Sequence, residues 1–174
     1  MKTILLIGDS ITHGFESPEL LLEYEVKNVG VSGDSTLEAL NRITNSWLAP
    51  NPEYIFISIG TNDLARDRSN SEILKNIDKI IAEITSTIDR GSIYLTSLFP
   101  TRNNEPRPNE RIVVINSQLE KLCEKLGIGF FNLHPHFVDE YGKLKSEYTD
   151  DGLHLTELAY KKWTEILRKF LRDQ

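Results

Sequence analysis

Thr3-Ile4-Leu5-Leu6-Ile7-Gly8-Asp9-Ser10-Ile11-Thr12 is the stretch that decides the fold. Its first five residues are β-branched or aliphatic at nearly every position, with no polar alternation, and the run breaks sharply at a glycine, an acid and a hydroxyl. A strand that is apolar along its whole length is covered on both faces, as happens in a parallel sheet lying between helices.

Outward from this strand the same pattern recurs. Further strand candidates are 26–31, 54–59, 93–98 and 128–133, separated by longer helical patterns. Ser35 with Glu38 forms a capping-box signature ahead of Leu37, Leu40, Trp47 and Leu48, and Ser69 with Glu72 repeats it. Behind the second box, Ile73, Ile77, Ile80, Ile81, Ile84 and Ile88 recur at helical steps, a stripe suited to docking on a sheet. A third helix is predicted from near Pro108 to Gly127, and a fourth from Thr156 onward, carrying Leu158, Trp163, Ile166, Leu167, Phe170 and Leu171. Strand–helix alternation over this length predicts one α/β domain spanning residues 1–174, with a five-stranded, mostly parallel sheet and right-handed crossovers. Two connections, 100–108 and 134–151, are long; the second contains Tyr141-Gly142-Lys143, a turn signature.

Composition narrows the function classes. Of the 174 residues, 39% are hydrophobic and 26% charged, ordinary for a soluble globular protein, and the net charge is -6. An acidic chain without a basic block is a poor partner for nucleic acid or an anionic membrane surface. No run reaches the length of a membrane span, and the apolar run at the start is too short for a signal-peptide core, so a cytoplasmic location is expected. The single cysteine, Cys123, sits on an apolar helical face with Leu119, Leu122 and Leu126 and reads as a buried filler. His134 and His136 have no carboxylate or cysteine at ligand spacing, so they read as loop residues and no metal site is expected.

In an open α/β sheet, ligands bind beyond the carboxyl ends of the strands. Asp9 and Ser10 follow the first strand; Ser32 and Gly33 the second; Gly60, Thr61, Asn62 and Asp63 the third; and Asp151 and His154 precede the last helix. Four distant segments thus bring a hydroxyl, a small backbone donor, an amide and an Asp–His pair to one edge. These types suit acyl transfer. A serine hydroxyl needs a base to take its proton, and imidazole titrates in the useful range. A carboxylate three residues before it can hold the Nδ1 proton. The Ser10 amide, the Gly33 amide and the Asn62 side chain could supply an oxyanion hole. Taken singly, Ser10 reads equally as a helix cap, Asn62 as a turn residue and Gly33 as a positive-φ position; their co-occurrence carries the reading.

Gly8-Asp9-Ser10-Ile11-Thr12, Asn28-Val29-Gly30-Val31-Ser32-Gly33-Asp34, Gly60-Thr61-Asn62-Asp63 and Asp151-Gly152-Leu153-His154-Leu155 resemble, in order, the four blocks of the SGNH hydrolase, or GDSL esterase, superfamily. The resemblance implies a flavodoxin-like three-layer α/β/α sandwich. It also implies catalytic roles for Ser10, Asp151 and His154, an oxyanion hole of Ser10, Gly33 and Asn62, and no cofactor. The expected activity is hydrolysis of small, short-chain acyl esters through an acyl-enzyme, with lysophospholipase, thioesterase or carbohydrate deacetylase activity as alternatives on the same site. Asp9, His13, Thr61, Pro100 and Arg102 are candidate substrate-binding residues. Asp9 and Asp63 read as organisers of their own loops, His13 as bordering the pocket, and Arg102 and Arg107 chiefly as surface charges able to meet an anionic group. Non-hydrolytic readings on the same fold are a phospho-receiver domain, with Asp9 and Asp63 near its acidic positions, a flavin module and an inactive ligand-binding relative. The first leaves Asp151-Gly152-Leu153-His154 unexplained, and the second wants a phosphate loop richer in Ser, Thr and Gly. The partner expected is a small acyl ester; the oligomeric state stays open.

Overall fold

A computed structural model describes residues 1–16 and 22–174. Its strands are β1 (Lys2–Gly8), β2 (Tyr24–Asn28), β3 (Tyr54–Ser58), β4 (Ile93–Thr96) and β5 (Gly129–Phe131). They form one parallel sheet in the order β2-β1-β3-β4-β5. The α-helices are α1 (Ser10–His13), α2 (Thr36–Arg42), α3 (Asn45–Leu48), α4 (Thr61–Ala65), α5 (Asn70–Thr85), α6 (Asn109–Leu126) and α7 (Glu157–Arg172). This is the flavodoxin-like α/β/α sandwich, and its strand order reverses at β1.

Two cores explain why the strands are apolar throughout. Leu5, Ile7, Ile55, Ile57 and Leu95 point to the face covered by α2, α5 and α6, with Ala39, Ile77, Ile80 and Leu119 against them. Ile4, Leu6, Phe56, Tyr94 and Phe131 point the other way, onto Ile11 of α1 and onto Ala159, Trp163, Leu167 and Leu171 of α7. Side chains alternate across a strand, so both alternating sets must be apolar when both faces are covered.

The helix signals operate as read. Ser69 and Glu72 form a reciprocal capping box at the start of α5, the Thr156 side chain accepts from the Ala159 amide, and Gly127 ends α6 at φ 67°. Ser35 and Glu38 also form their capping box at the start of α2, but the helix behind it is shorter than expected. It breaks after Arg42, because Ile43 and Thr44 are extended, and resumes as the single turn α3. Leu37, in the first turn of α2, is exposed rather than docked. The strand expected over 26–31 is Tyr24–Asn28, although the Val29 and Val31 amides still donate to β1 carbonyls of Leu6 and Gly8 at 2.9 and 3.0 Å. The β4 and β5 strands are also shorter than the apolar runs that announce them; beyond them the buried Ser97 Oγ accepts from the Leu133 and His134 amides, both at 2.9 Å. The turn expected at Tyr141-Gly142-Lys143 is present, organised by Asp139 Oδ1, which accepts from the Tyr141 and Lys143 amides. Cys123 is buried, and burial pushes its thiol up to about 12. Among the described residues no helix is long and apolar enough to cross a membrane.

At the end of β1 the chain turns straight into α1 around Asp9, which is 3% exposed. Its Oδ1 accepts from the Ile11 amide at 2.9 Å, capping the turn that carries Ser10. Burial raises the Asp9 carboxyl to about 6, against the lowering effects of the Ile11 amide and of Arg107 and His154 nearby. A raised acid binds more protons folded than unfolded, so its contribution to stability falls as pH rises from its unfolded value through about 6. Asp9→Asn keeps the capping oxygen and removes the titration. In urea melts the variant should gain on the order of 3 kcal/mol relative to wild type between about pH 3 and about pH 7. Parallel curves would show that folding leaves the Asp9 carboxyl at its unfolded value. In the core, Ile77 is fully buried, and Ile77→Ala should lower unfolding free energy by about 3 kcal/mol in the same melts, from lost burial plus the cavity left.

Candidate active site

The strand order places the carboxyl ends of β2, β1 and β3 side by side. Leu6 pairs with Asn28 and Gly8 with Ser58, so the segments after these strands emerge together. Ser10 opens α1 directly beyond β1. Its Oγ lies 3.1 Å from His154 Nε2. His154 Nδ1 lies 2.6 Å from Asp151 Oδ2. With the Nδ1 proton donated to the carboxylate, Nε2 is left as an acceptor facing the serine hydroxyl.

The Asp151–His154 loop is fixed by its own backbone. Asp151 Oδ1 accepts from the Leu153 and His154 amides at 2.9 and 2.8 Å. The Gly152 amide donates to Thr149 Oγ1 at 2.9 Å, and Thr149 pairs with Leu155 across the loop. Gly152 sits at φ 87°, and a Cβ there would come 2.0 Å from the Arg102 carbonyl. Only glycine fits both constraints. For the Asp151 carboxyl, burial acts upward, but the His154 ring and the two amides outweigh it and hold it at about 2. It therefore stays ionised wherever imidazole can act as a base.

Gly33, in the loop after β2, has φ 84°, and its carbonyl accepts from Arg66 at 2.8 Å. Asn62, in the first turn of α4, donates from Nδ2 to the Asp34 carbonyl at 2.9 Å, which seats it against the Gly33 loop. Its Oδ1 accepts from Arg107 Nη2 at 2.9 Å. Gly60, at φ 134°, makes the turn from β3 into α4.

The other residues singled out in the sequence take definite places. Asp9 is the buried cap beneath Ser10. His13 is exposed at the end of α1, with Nδ1 3.1 Å from the Gly30 carbonyl. Thr61 is buried, and its carbonyl accepts from Arg107 Nε at 3.0 Å. Pro100 is buried at the head of the 100–108 loop. The Arg102 guanidinium is engaged by Asp139 and the Leu144 carbonyl, so this side chain ties the two long loops together, while its amide donates to the Gly152 carbonyl at 2.8 Å. Asp63 reaches out of its own loop, to the Thr36 amide and hydroxyl and to Arg68. Burial lowers the pKa of His134, and His136 is exposed.

Three contributors are given no role at the site by the sequence, although Asn28 opens the second motif block. Asn28 Nδ2 donates to the Thr12 and Phe15 carbonyls at 2.7 and 3.2 Å, and its Oδ1 accepts from the Gly30 amide, joining the end of β2 to α1. The Tyr160 hydroxyl donates to the Ile11 carbonyl at 2.7 Å from α7. Arg107, two residues before α6, reaches back to α4. A polar residue at a strand end was the one available hint, and it applied only to Asn28.

Comparison with known proteins agrees with this architecture. The profile of the GDSL-like Lipase/Acylhydrolase family matches residues 6–162. The N-acylneuraminate cytidylyltransferase of Escherichia coli O18:K1:H7 is 31% identical over 162 residues, covering 92% of this chain but 38% of that protein. The human platelet-activating factor acetylhydrolase IB subunit alpha2 is 26% identical over 175 residues, covering 97% of this chain and 75% of that protein. The solved structure of the lipase/acylhydrolase from Enterococcus faecalis superposes with a TM-score of 0.83 at 24% identity, covering 99% of this chain and 96% of that one. With the family profile spanning most of its length, the chain belongs to the GDSL-like lipase/acylhydrolase family of carboxylic ester hydrolases.

Proposed function

We propose that this protein is a serine esterase that removes short acyl groups from small esters through an acyl-enzyme intermediate. The observation that carries the reading is the unbroken hydrogen-bonded chain from Ser10 Oγ through the His154 ring to Asp151. His154 Nε2 accepts the Ser10 proton as Oγ attacks the ester carbonyl. The tetrahedral oxyanion is held by the Ser10 and Gly33 amides and by one Asn62 N–H. The imidazolium then gives its proton to the departing alcohol. Water, deprotonated by the same ring, attacks the acyl carbonyl and frees the acid and Ser10. Asp151 holds the ring in the tautomer this cycle needs and stabilises its charged form.

Two considerations favour a short acyl group. The 26%-identical human relative is named an acetylhydrolase. The connections after β4 and β5 are pinned to one another by Arg102, Asp139 and the Leu144 amide on Thr101, and contain only short 3-10 turns rather than a helical lid.

Turnover of p-nitrophenyl acetate, butyrate and octanoate by wild type and by Ser10→Ala tests the reading. Wild type should prefer the acetate or butyrate, and Ser10→Ala should lose at least about a thousandfold in kcat/KM. Equal rates in the two proteins would remove Ser10 from the chemistry, and a preference for octanoate would overturn the short-acyl assignment.

A further inference from the structure

The oxyanion role proposed for Asn62 depends on which way its carboxamide faces, and that side chain is held from both ends. Nδ2 donates to the Asp34 carbonyl at 2.9 Å, and Oδ1 accepts from Arg107 Nη2 at 2.9 Å. A carbonyl only accepts and a guanidinium only donates, so the two partners together allow a single amide orientation. The flipped amide would set its oxygen against an acceptor and its N–H groups against a cation.

Arg107 does more than touch one atom. Its Nε donates to the Thr61 carbonyl at 3.0 Å, so the planar guanidinium grips consecutive residues of α4. Its own backbone is anchored, since the Arg107 carbonyl accepts from Thr101 Oγ1 at 2.7 Å and its amide donates to the Asn104 carbonyl at 3.0 Å. Asn109 pins Thr101 in turn, donating to its carbonyl at 2.8 Å and accepting from its amide at 2.9 Å. The 100–108 loop is thereby a fixed arm, delivering a half-buried cation to Asn62.

We infer that Arg107 is a positioning residue for the oxyanion hole: its fork on Thr61 and Asn62 fixes and polarises the Asn62 carboxamide so that an N–H faces the developing oxyanion. A cation on the amide oxygen draws electron density from nitrogen and strengthens that N–H as a donor. The contribution appears when the carbonyl oxygen becomes charged, so it belongs to kcat more than to KM. The inference rests on the serine esterase reading and on Asn62 as a donor within it.

The test is a mutant cycle on p-nitrophenyl acetate with wild type, Asn62→Ala, Arg107→Gln and the double variant, each checked for an intact melting transition. Asn62→Ala should lose about a hundred- to a thousandfold in kcat. Arg107→Gln should lose about ten- to a hundredfold in kcat with KM within about threefold, and less than about twofold further when Asn62 is already alanine. Arg107→Lys, which keeps the charge but not the planar fork, should still lose several-fold. A wild-type kcat in folded Arg107→Gln overturns the proposal, as does an equal Arg107 effect with and without Asn62. Should Arg107→Gln fail to fold, a folded Arg107→Lys with wild-type kcat overturns it instead. A wild-type kcat in Asn62→Ala removes the donor itself, a failure of the underlying reading that leaves a different pattern from a failure of Arg107 alone.

Discussion

The central strand β1 is hydrogen-bonded on both edges, to β2 and to β3, and that pairing sets where the Ser10, Gly33 and Asn62 segments emerge. A buried backbone must satisfy its amides and carbonyls, so the registers of Leu6 with Asn28 and Gly8 with Ser58 are strongly held. Those registers set the ends of three strands level with one another. The turn into α1, the Gly33 loop and the turn into α4 then emerge side by side, at the point where strand order reverses.

Beyond the strand ends the site is assembled by side chains that grip backbone. Asn28 holds the Thr12 and Phe15 carbonyls from β2, Tyr160 holds the Ile11 carbonyl from α7, and Arg66 holds the Gly33 carbonyl. Arg107 holds α4, and the Arg102 amide holds Gly152. Each bond joins segments distant in sequence. Loops are otherwise the least constrained parts of a fold, and acyl transfer needs its groups placed within a fraction of an ångström. The density of these clasps reconciles the two.

Two aspartates show how environment divides one chemical type into different tasks. Asp9 is buried beneath Ser10 and its carboxyl is raised to about 6, whereas Asp151 collects the His154 ring and two amides and is held at about 2. Burial disfavours the charge in both: for Asp9 it outweighs the Ile11 amide, Arg107 and His154, whereas for Asp151 the ring and two amides outweigh it. Asp9 accepts from the Ile11 amide and shapes the turn, while Asp151 presents a standing negative charge to an imidazole.

The sequence by itself determined the layers and where the polar residues of the site emerge. Uniformly apolar strands required helices on both faces, capping residues marked where α5, α6 and α7 begin or end, and Ser10, Gly33 and Asn62 were legible as strand-end residues, with Asp151 and His154 paired ahead of α7. These are local signals, carried by spacing within a strand, a turn or a helix. The break at Ile43 and Thr44, the divergent fates of Arg102 and Arg107, and the reach of Asp63 to Thr36 were decided only in three dimensions. An arginine in a polar loop looks the same in sequence whether it faces water or a neighbour's carbonyl. Its partner, the Asp139 carboxylate and Leu144 carbonyl for Arg102 or the Thr61 carbonyl and Asn62 amide for Arg107, lies tens of residues away. Sheet register and loop anchoring bring those partners within hydrogen-bond reach, and neither leaves a periodicity in the chain.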